Sequence, residues 1–394
     1  MIKFGIRHNL IYALMFVIFN FLRKADSIIM KNYIEYHGSL ILTLIMFIAD
    51  FISGLLVYLY NLKYLKEKEA SKFMGIELIQ ASSNITPPDN NFKMYALLFL
   101  ASFVDFIEYV LSSFYIPGRF NDVSISMEWR LKTIIICFSA LLCYFSLKFP
   151  IFKHQIITII IILICLLIVI ITELLVFTQI DSHSLSYILK VIFLMIIDHM
   201  FNSGLDVIEK YLLEYDYMNP YLILMMEGLF GFLLSLLLLF FINPFQRIID
   251  IHNDVSSKKF TCLIICIILY FFFSCGRNIY RVTTNKLYSP THKALFDYIL
   301  VPILIIYYYA WDDDFQVKGK KVFSFFFINL IVSLVMVFCG LIYNELFIIF
   351  FCGLEYDTHY EVSRRAKIIE SQEYEMSGNS SGLSSFAMDN NKEE

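Results

Sequence analysis

The chain has 394 residues, of which 59% are hydrophobic and only 17% charged, with a mean hydropathy of +0.68. A soluble globular domain carries about 25% charged residues, so this composition excludes that class. The net charge of −4 and a pI near 6.1 leave no electrostatic footprint for nucleic acid, and no such partner is expected.

The apolar residues are blocked into runs such as 40–62, 156–177, 221–242 and 322–342. Runs of about 20 residues match the hydrocarbon thickness of a bilayer crossed by an α-helix. Period-two alternation, which a membrane barrel would need, is missing from them. The expected fold class is therefore an all-α membrane protein of about ten transmembrane helices.

In chain order the spans are expected at 9–30, 39–62, 94–116, 124–147, 155–177, 185–207, 220–242, 259–281, 290–310 and 321–345. The first is the least apolar: its clean stretch, Asn9 to Leu22, is short, which puts Arg23, Lys24 and Asp26 near its outer end. A signal peptide behind Lys3 and Arg7 is the other reading, but no small-residue cleavage site follows. Polar stretches are expected at 63–93 and 312–321, and residues 355–394, with Asn379 and a final run of Lys and Glu, read as a disordered cytosolic tail. Lys63, Lys66, Lys68, Lys72 and Lys93 in one loop, against no lysine or arginine at 178–184, favour both termini in the cytosol. The acceptor motifs at Asn84 and Asn379 are then expected to stay unglycosylated. The eight cysteines (137, 143, 165, 262, 266, 275, 339 and 352) lie in or beside apolar runs without CxxC spacing and read as packing residues; no metal or cofactor is expected.

The two halves resemble each other. Asp50 precedes Gly54 by four residues in the second span, and Glu227 precedes Gly231 by four in the seventh. Ser126 precedes Arg130 where the fourth span opens, as Ser289 precedes Lys293 at the ninth. Glu173 and Glu345 close the fifth and tenth. A duplication of five spans, 1–177 and 178–354, is the reading. An odd number of helices per copy inverts the second copy, the architecture of many secondary transporters.

The stretch Met226–Glu227–Gly228–Leu229–Phe230–Gly231–Phe232 resembles the seventh helix of the drug/metabolite transporter superfamily, nearest to the F-type branch of solute carrier family 35. Thr284 to Asp297 is similar to that branch's approach to helix 9, and Leu341–Ile342–Tyr343–Asn344 to its close of helix 10. The resemblance, an EamA-like one, implies two inverted five-helix bundles, a central cavity, alternating access, and an endomembrane location with nucleotide-sugar-like cargo. The motifs cover residues 220–345 only.

An ionisable side chain at the centre of a membrane helix costs roughly 2.5–3.5 kcal/mol on insertion scales, so the ionisable residues inside the spans, with the asparagines among them, are the substrate-binding candidates. They are Asn20, Asp105, Glu108, Arg130, Asp198, His199, Asn202, Arg277, Asn278, Lys293 and Asp297. Asp105 and Glu108 share a helix face and are expected either to pair with Arg130 or Lys132, or to meet a substrate or proton. Asp198 and Asn202 also share a face, beside His199, whose imidazole suits proton coupling or a plain core hydrogen bond. Arg277 and Asp297 are expected at similar depth as an ion pair, with Arg277 and Lys293 free to grip phosphate and Arg281 snorkelling to the interface. Asp50 and Glu227 read mainly as packing residues of the repeat.

The expected function is secondary transport of a small polar metabolite, phosphorylated ones included. A proton-coupled exporter of cations using Asp105, Glu108 or Asp198, and a non-transporting membrane subunit, remain as alternatives. Enzymatic chemistry is not expected, because no nucleophile–base pair or HxxxH spacing appears. The expected partners are the lipid bilayer, the small-molecule substrate and, as one option, a second copy in a homodimer.

Overall fold

The computed structural model describes residues 4–34, 40–69, 91–116, 130–179, 184–241, 257–311 and 320–347, with single residues 358, 361, 365 and 368. Every regular element among them is helical: α1 (Phe4–Ile34), α2 (Leu40–Glu69), α3 (Asn91–Tyr109), α4 (Ile134–Ser146), α5 (Lys153–Gln179), α6 (Leu185–Glu214), α7 (Pro220–Phe241), α8 (Ser257–Leu287), α9 (Pro290–Tyr298), α10 (Val301–Trp311) and α11 (Lys320–Tyr343). A π-helical turn, Val110–Tyr115, continues α3. Among the described residues seven helices are long and apolar enough to cross a membrane: α2, α3, α5, α6, α7, α8 and α11. The protein is thus a multi-pass α-helical membrane protein. Asn84, Asn379 and nearly all of the expected C-terminal tail lie outside the described residues.

Three departures from the expected spans matter for the site. The first is length. α6 and α8 run for 30 and 31 residues, so Glu209 and Arg281 sit inside helices that continue past them. The same holds for α1, where Lys24 and Asp26 are buried rather than exposed at an outer end, as is Asn20 one turn before them.

The second departure is a break. The expected ninth span is divided into α9 and α10 around Ile299 and Leu300. Pro302 explains it: proline lacks the amide that would bond the carbonyl of Tyr298, and its ring crowds that carbonyl. The bonds from Ile299 N to Leu295 O and from Leu304 N to Leu300 O, both 2.9 Å, finish one helix and start the next.

The third is the close approach of α2 and α7. A Cβ on Gly54 would meet the backbone of Met225 and Tyr221; one on Gly228 would meet the backbone of Phe51 and Phe47. Small residues let membrane helices approach this closely. The contacts are reciprocal and run antiparallel. Gly54 meets Met225 and Tyr221 while Gly228 meets Phe51 and Phe47, so Asp50, between Phe47 and Phe51, lies level with the turn of α7 that carries Glu227. Gly231 has a different task, packing against the Phe47 ring.

Helices of the first half pack chiefly on helices of the second: α1 on α8, α2 on α7, α3 on α6, α4 on α6 and α9, and α5 on α11. The resulting body is apolar outside and polar within. Ile156, Ile160, Ile164, Leu167 and Ile171 of α5 are exposed, as are Leu233, Leu237 and Phe240 of α7, the pattern of helices whose solvent is hydrocarbon. Asp50, Asp105, Asp206, Glu209, Glu227, Arg277, Arg281 and Lys293 are all buried.

Candidate functional site

The buried polar groups form a continuous network carried mainly by α6 and α8. On α6, Asn202, Asp206 and Glu209 are spaced four and three residues apart and so share one face. On α8, Arg277 and Arg281 are one turn apart, with Asn278 and Asn285 beside them.

One end of the network is built on lysines. Lys293 Nζ lies 2.9 Å from Asp206 Oδ2, 3.5 Å from Asp297 Oδ2 and 3.3 Å from Asn202 Oδ1. Asp297 also receives Lys132 at 3.2 Å and the Asn20 amide at 2.6 Å. Ser289 caps α9 by accepting from His292 N, and Pro290 occupies the first turn; together these fix where Lys293 and Asp297 point. Asn202 joins this end to α3, donating to Glu108 Oε1 at 3.1 Å.

The other end is built on arginines. Arg281 is among the largest side chains that are fully buried; its guanidinium reaches Glu209 at 2.5 Å and Glu227 at 3.0 Å. Asn285 Nδ2 donates to the second Glu209 oxygen at 2.9 Å and to the Asp206 carbonyl at 2.9 Å. Arg277, one turn along, differs. Its Nη1 donates to Tyr109 Oη at 2.8 Å and to Asn278 Oδ1 at 2.9 Å, its Nε has no partner, and no carboxylate of the described residues lies at ion-pair distance. Tyr109 is placed by the end of α3, where the backbone widens into the π turn, a local distortion common at functional sites.

The structure therefore brings together Asn20, Asp105, Glu108, Asn202, Arg277, Asn278, Lys293 and Asp297. Arg130 sits elsewhere, paired with Glu173, which also accepts from Asn329 Nδ2 at 3.1 Å. His199 Nδ1 lies 3.6 Å from Asp198 Oδ2 on the adjacent residue. Several expected contacts are corrected. Asp105 and Glu108 make no ion pair with Arg130 or Lys132, because those cations hold Glu173 and Asp297. Arg277 does not pair with Asp297, whose oxygens are taken up by Lys132, Lys293 and Asn20. Lys293 is not free, since Asp206 holds it. Arg281 does not snorkel, since α8 continues beyond it, and Glu227 is its counterion rather than a packing residue.

Asp206, Glu209, Lys210 and Asn285 were missing from the expected set. The signal for the first two is the stripe Asp198, Asn202, Asp206, Glu209 along one face, which ending the sixth span at 207 cuts short. Lys210 has a terminal role: its Nζ donates to the carbonyls of Asn285, Lys286 and Tyr288 at 3.0, 3.3 and 2.6 Å, satisfying the end of α8. A cavity of about 480 Å³ lies where α4 ends and α5 and α9 begin, with Gln155, Ser289, Thr291, His292 and Asn344 among its lining. Among the described residues no cluster of His, Cys, Asp and Glu could hold a metal ion.

No protein-family model matches the chain, and no curated protein matches it as a relative. The functional reading rests on the buried network and the helix pairing.

Proposed function

We propose that the protein is a secondary transporter of a small organic anion, working by alternating access between two inverted five-helix repeats of an endomembrane protein with cytosolic termini. The observation that carries this is Arg277. A guanidinium buried at membrane depth is held in place, among the described residues, by neutral partners alone, with a donor left over. An arginine keeps its charge even there, and an unpaired one is expensive unless an anion completes it. Its planar fork suits phosphate or carboxylate.

Two features of the fold support the repeat. Exchanging each helix for its counterpart five spans on turns α1–α8 into α6–α3 and returns α2–α7, α4–α9 and α5–α11 to themselves, while α4–α6 has only a weaker counterpart in α1–α9. The reciprocal contacts at Gly54 and Gly228 fit a two-fold axis across the antiparallel α2–α7 crossing, lying in the membrane plane. The broken α9–α10 helix beside Asp297 matches the discontinuous helices that line transporter sites. Lys293, saturated by Asp206 and Asp297, serves here as scaffold rather than as a substrate ligand.

Reconstituted protein should take up labelled nucleotide sugars or nucleoside phosphates by counterflow, and Arg277→Ala should lose that uptake at unchanged thermal stability. Uptake of amines with no uptake of any anion would replace this reading with the cation exporter. Absence of all uptake would leave the non-transporting subunit.

A further inference from the structure

Asp50 is fully buried in the middle of α2, and neither of its carboxylate oxygens has a hydrogen-bond partner among the described residues. Asp105 on α3 is equally buried with one oxygen unpartnered, and the two carboxyl groups lie within each other's field. The ionisable groups that face them come from every helix packed around. They are Arg23 of α1, Glu108 and Tyr109 of α3, Glu209 of α6, Glu227 of α7, and Cys275, Arg277 and Arg281 of α8. Arg281 is already shared by Glu209 and Glu227. Five carboxyl groups (Asp50, Asp105, Glu108, Glu209, Glu227) thus face three guanidiniums (Arg23, Arg277, Arg281), an excess of two negative charges in a dry interior. Among the described residues no cluster there offers the ligand set of a divalent metal. A buried carboxylate with neither counterion nor donor is strongly disfavoured, and a proton on it removes the charge without needing a ligand cage.

We infer that Asp50 and Asp105 form a proton-binding site beside Arg277, so that an organic anion reaching Arg277 crosses the membrane together with protons. The inference rests on the transport reading for its coupling, but the site itself does not. Protons on Asp50 and Asp105 remove the excess of two negative charges, so that the Arg277 guanidinium is left to meet the charge of the anion. When the two halves open to the other side and Arg277 releases its anion, water reaching Asp50 lets the proton leave. The pair takes part in transport as a charge carrier, without touching the substrate.

The test is infrared pH-difference spectroscopy on the full chain in lipid, with no substrate present. The wild type should show a carboxylic-acid C=O band that titrates reversibly. That band should shrink in Asp50→Asn and in Asp105→Asn while Glu173→Gln leaves it unchanged. A wild type with no titrating band overturns the site, whether or not either variant folds; so does a band intact in both variants. A band lost on adding sodium at fixed pH assigns the site to a metal cation and overturns the proton. Failure of anion uptake in proteoliposomes beside a normal titrating band removes the transport reading and leaves the proton site standing.

Discussion

Arg277 and Arg281 lie one turn apart on the same helix, are both buried, and have opposite surroundings. Arg281 is closed off by Glu209 and Glu227, whose helices it ties to α8. Arg277 meets a phenol and an amide. Two like charges at the same depth can therefore divide their work: the compensated one builds the bundle, and the uncompensated one keeps a vacancy in its coordination for something that is not protein. Composition treats them alike; only the counterions tell them apart.

The largest effect expected is at the compensated side. Arg281→Ala leaves two carboxylates facing each other without their counterion, and breaking a buried pair in this way costs about 3–5 kcal/mol. Thermal unfolding in detergent should show it, and adding Glu209→Gln and Glu227→Gln to the variant should recover much of the loss. Recovery of nothing would mean that Arg281 acts through packing.

Gly228→Ala comes next. Its new methyl meets the Phe51 backbone, which has no flexible end to yield, and overpacking of this kind costs about 1–3 kcal/mol. By the reciprocity of the crossing Gly54→Ala should cost a similar amount, whereas Gly204→Ala, with only a Val104 methyl in ordinary contact, should be nearly silent. Unequal losses at Gly54 and Gly228 would break the proposed symmetry.

Lys210→Met should be milder, about 1 kcal/mol, since it removes the donor to three carbonyls at the end of α8 beside a half-exposed Glu214 partner. Arg277→Ala should cost less stability than Arg281→Ala, because it strands no carboxylate at ion-pair distance among the described residues. Its loss should appear in anion affinity instead, on the order of 1.5–3 kcal/mol or about 10- to 150-fold, in a competition assay. A stability loss equal to that of Arg281→Ala would erase the distinction between the two arginines.

Hydropathy made the helices legible, and with them the membrane class, because runs such as 156–177 have no soluble explanation. Charge placement was half legible. Asp105, Glu108, Asn202, Arg277 and Asp297 stood out as polar residues inside apolar runs, and the structure gathers them. The partners were harder to read for a specific reason. A span length of about 20 residues assigns charges at 206–210 and at 281 to the interface, while helices of 30 and 31 residues carry them inward. The close approach of α2 and α7 was not legible in the two acid-to-glycine spacings, because it follows Gly54 and Gly228, where side chains are absent, rather than where acids recur. The break at Pro302 was visible in the letters and needed only the missing amide to be counted.

The double pairing of Arg281 also bears on biosynthesis. The ribosome delivers α6 and α7 before α8, so Glu209 and Glu227 enter the bilayer ahead of the only cation that reaches both of them among the described residues. Until residue 281 emerges, the growing polypeptide holds two acids in oil with a debt of charge, and a chain ending after α7 never clears it. Insertion of this bundle is then a collective event, in which helices wait at the translocon or beside a chaperone for later ones.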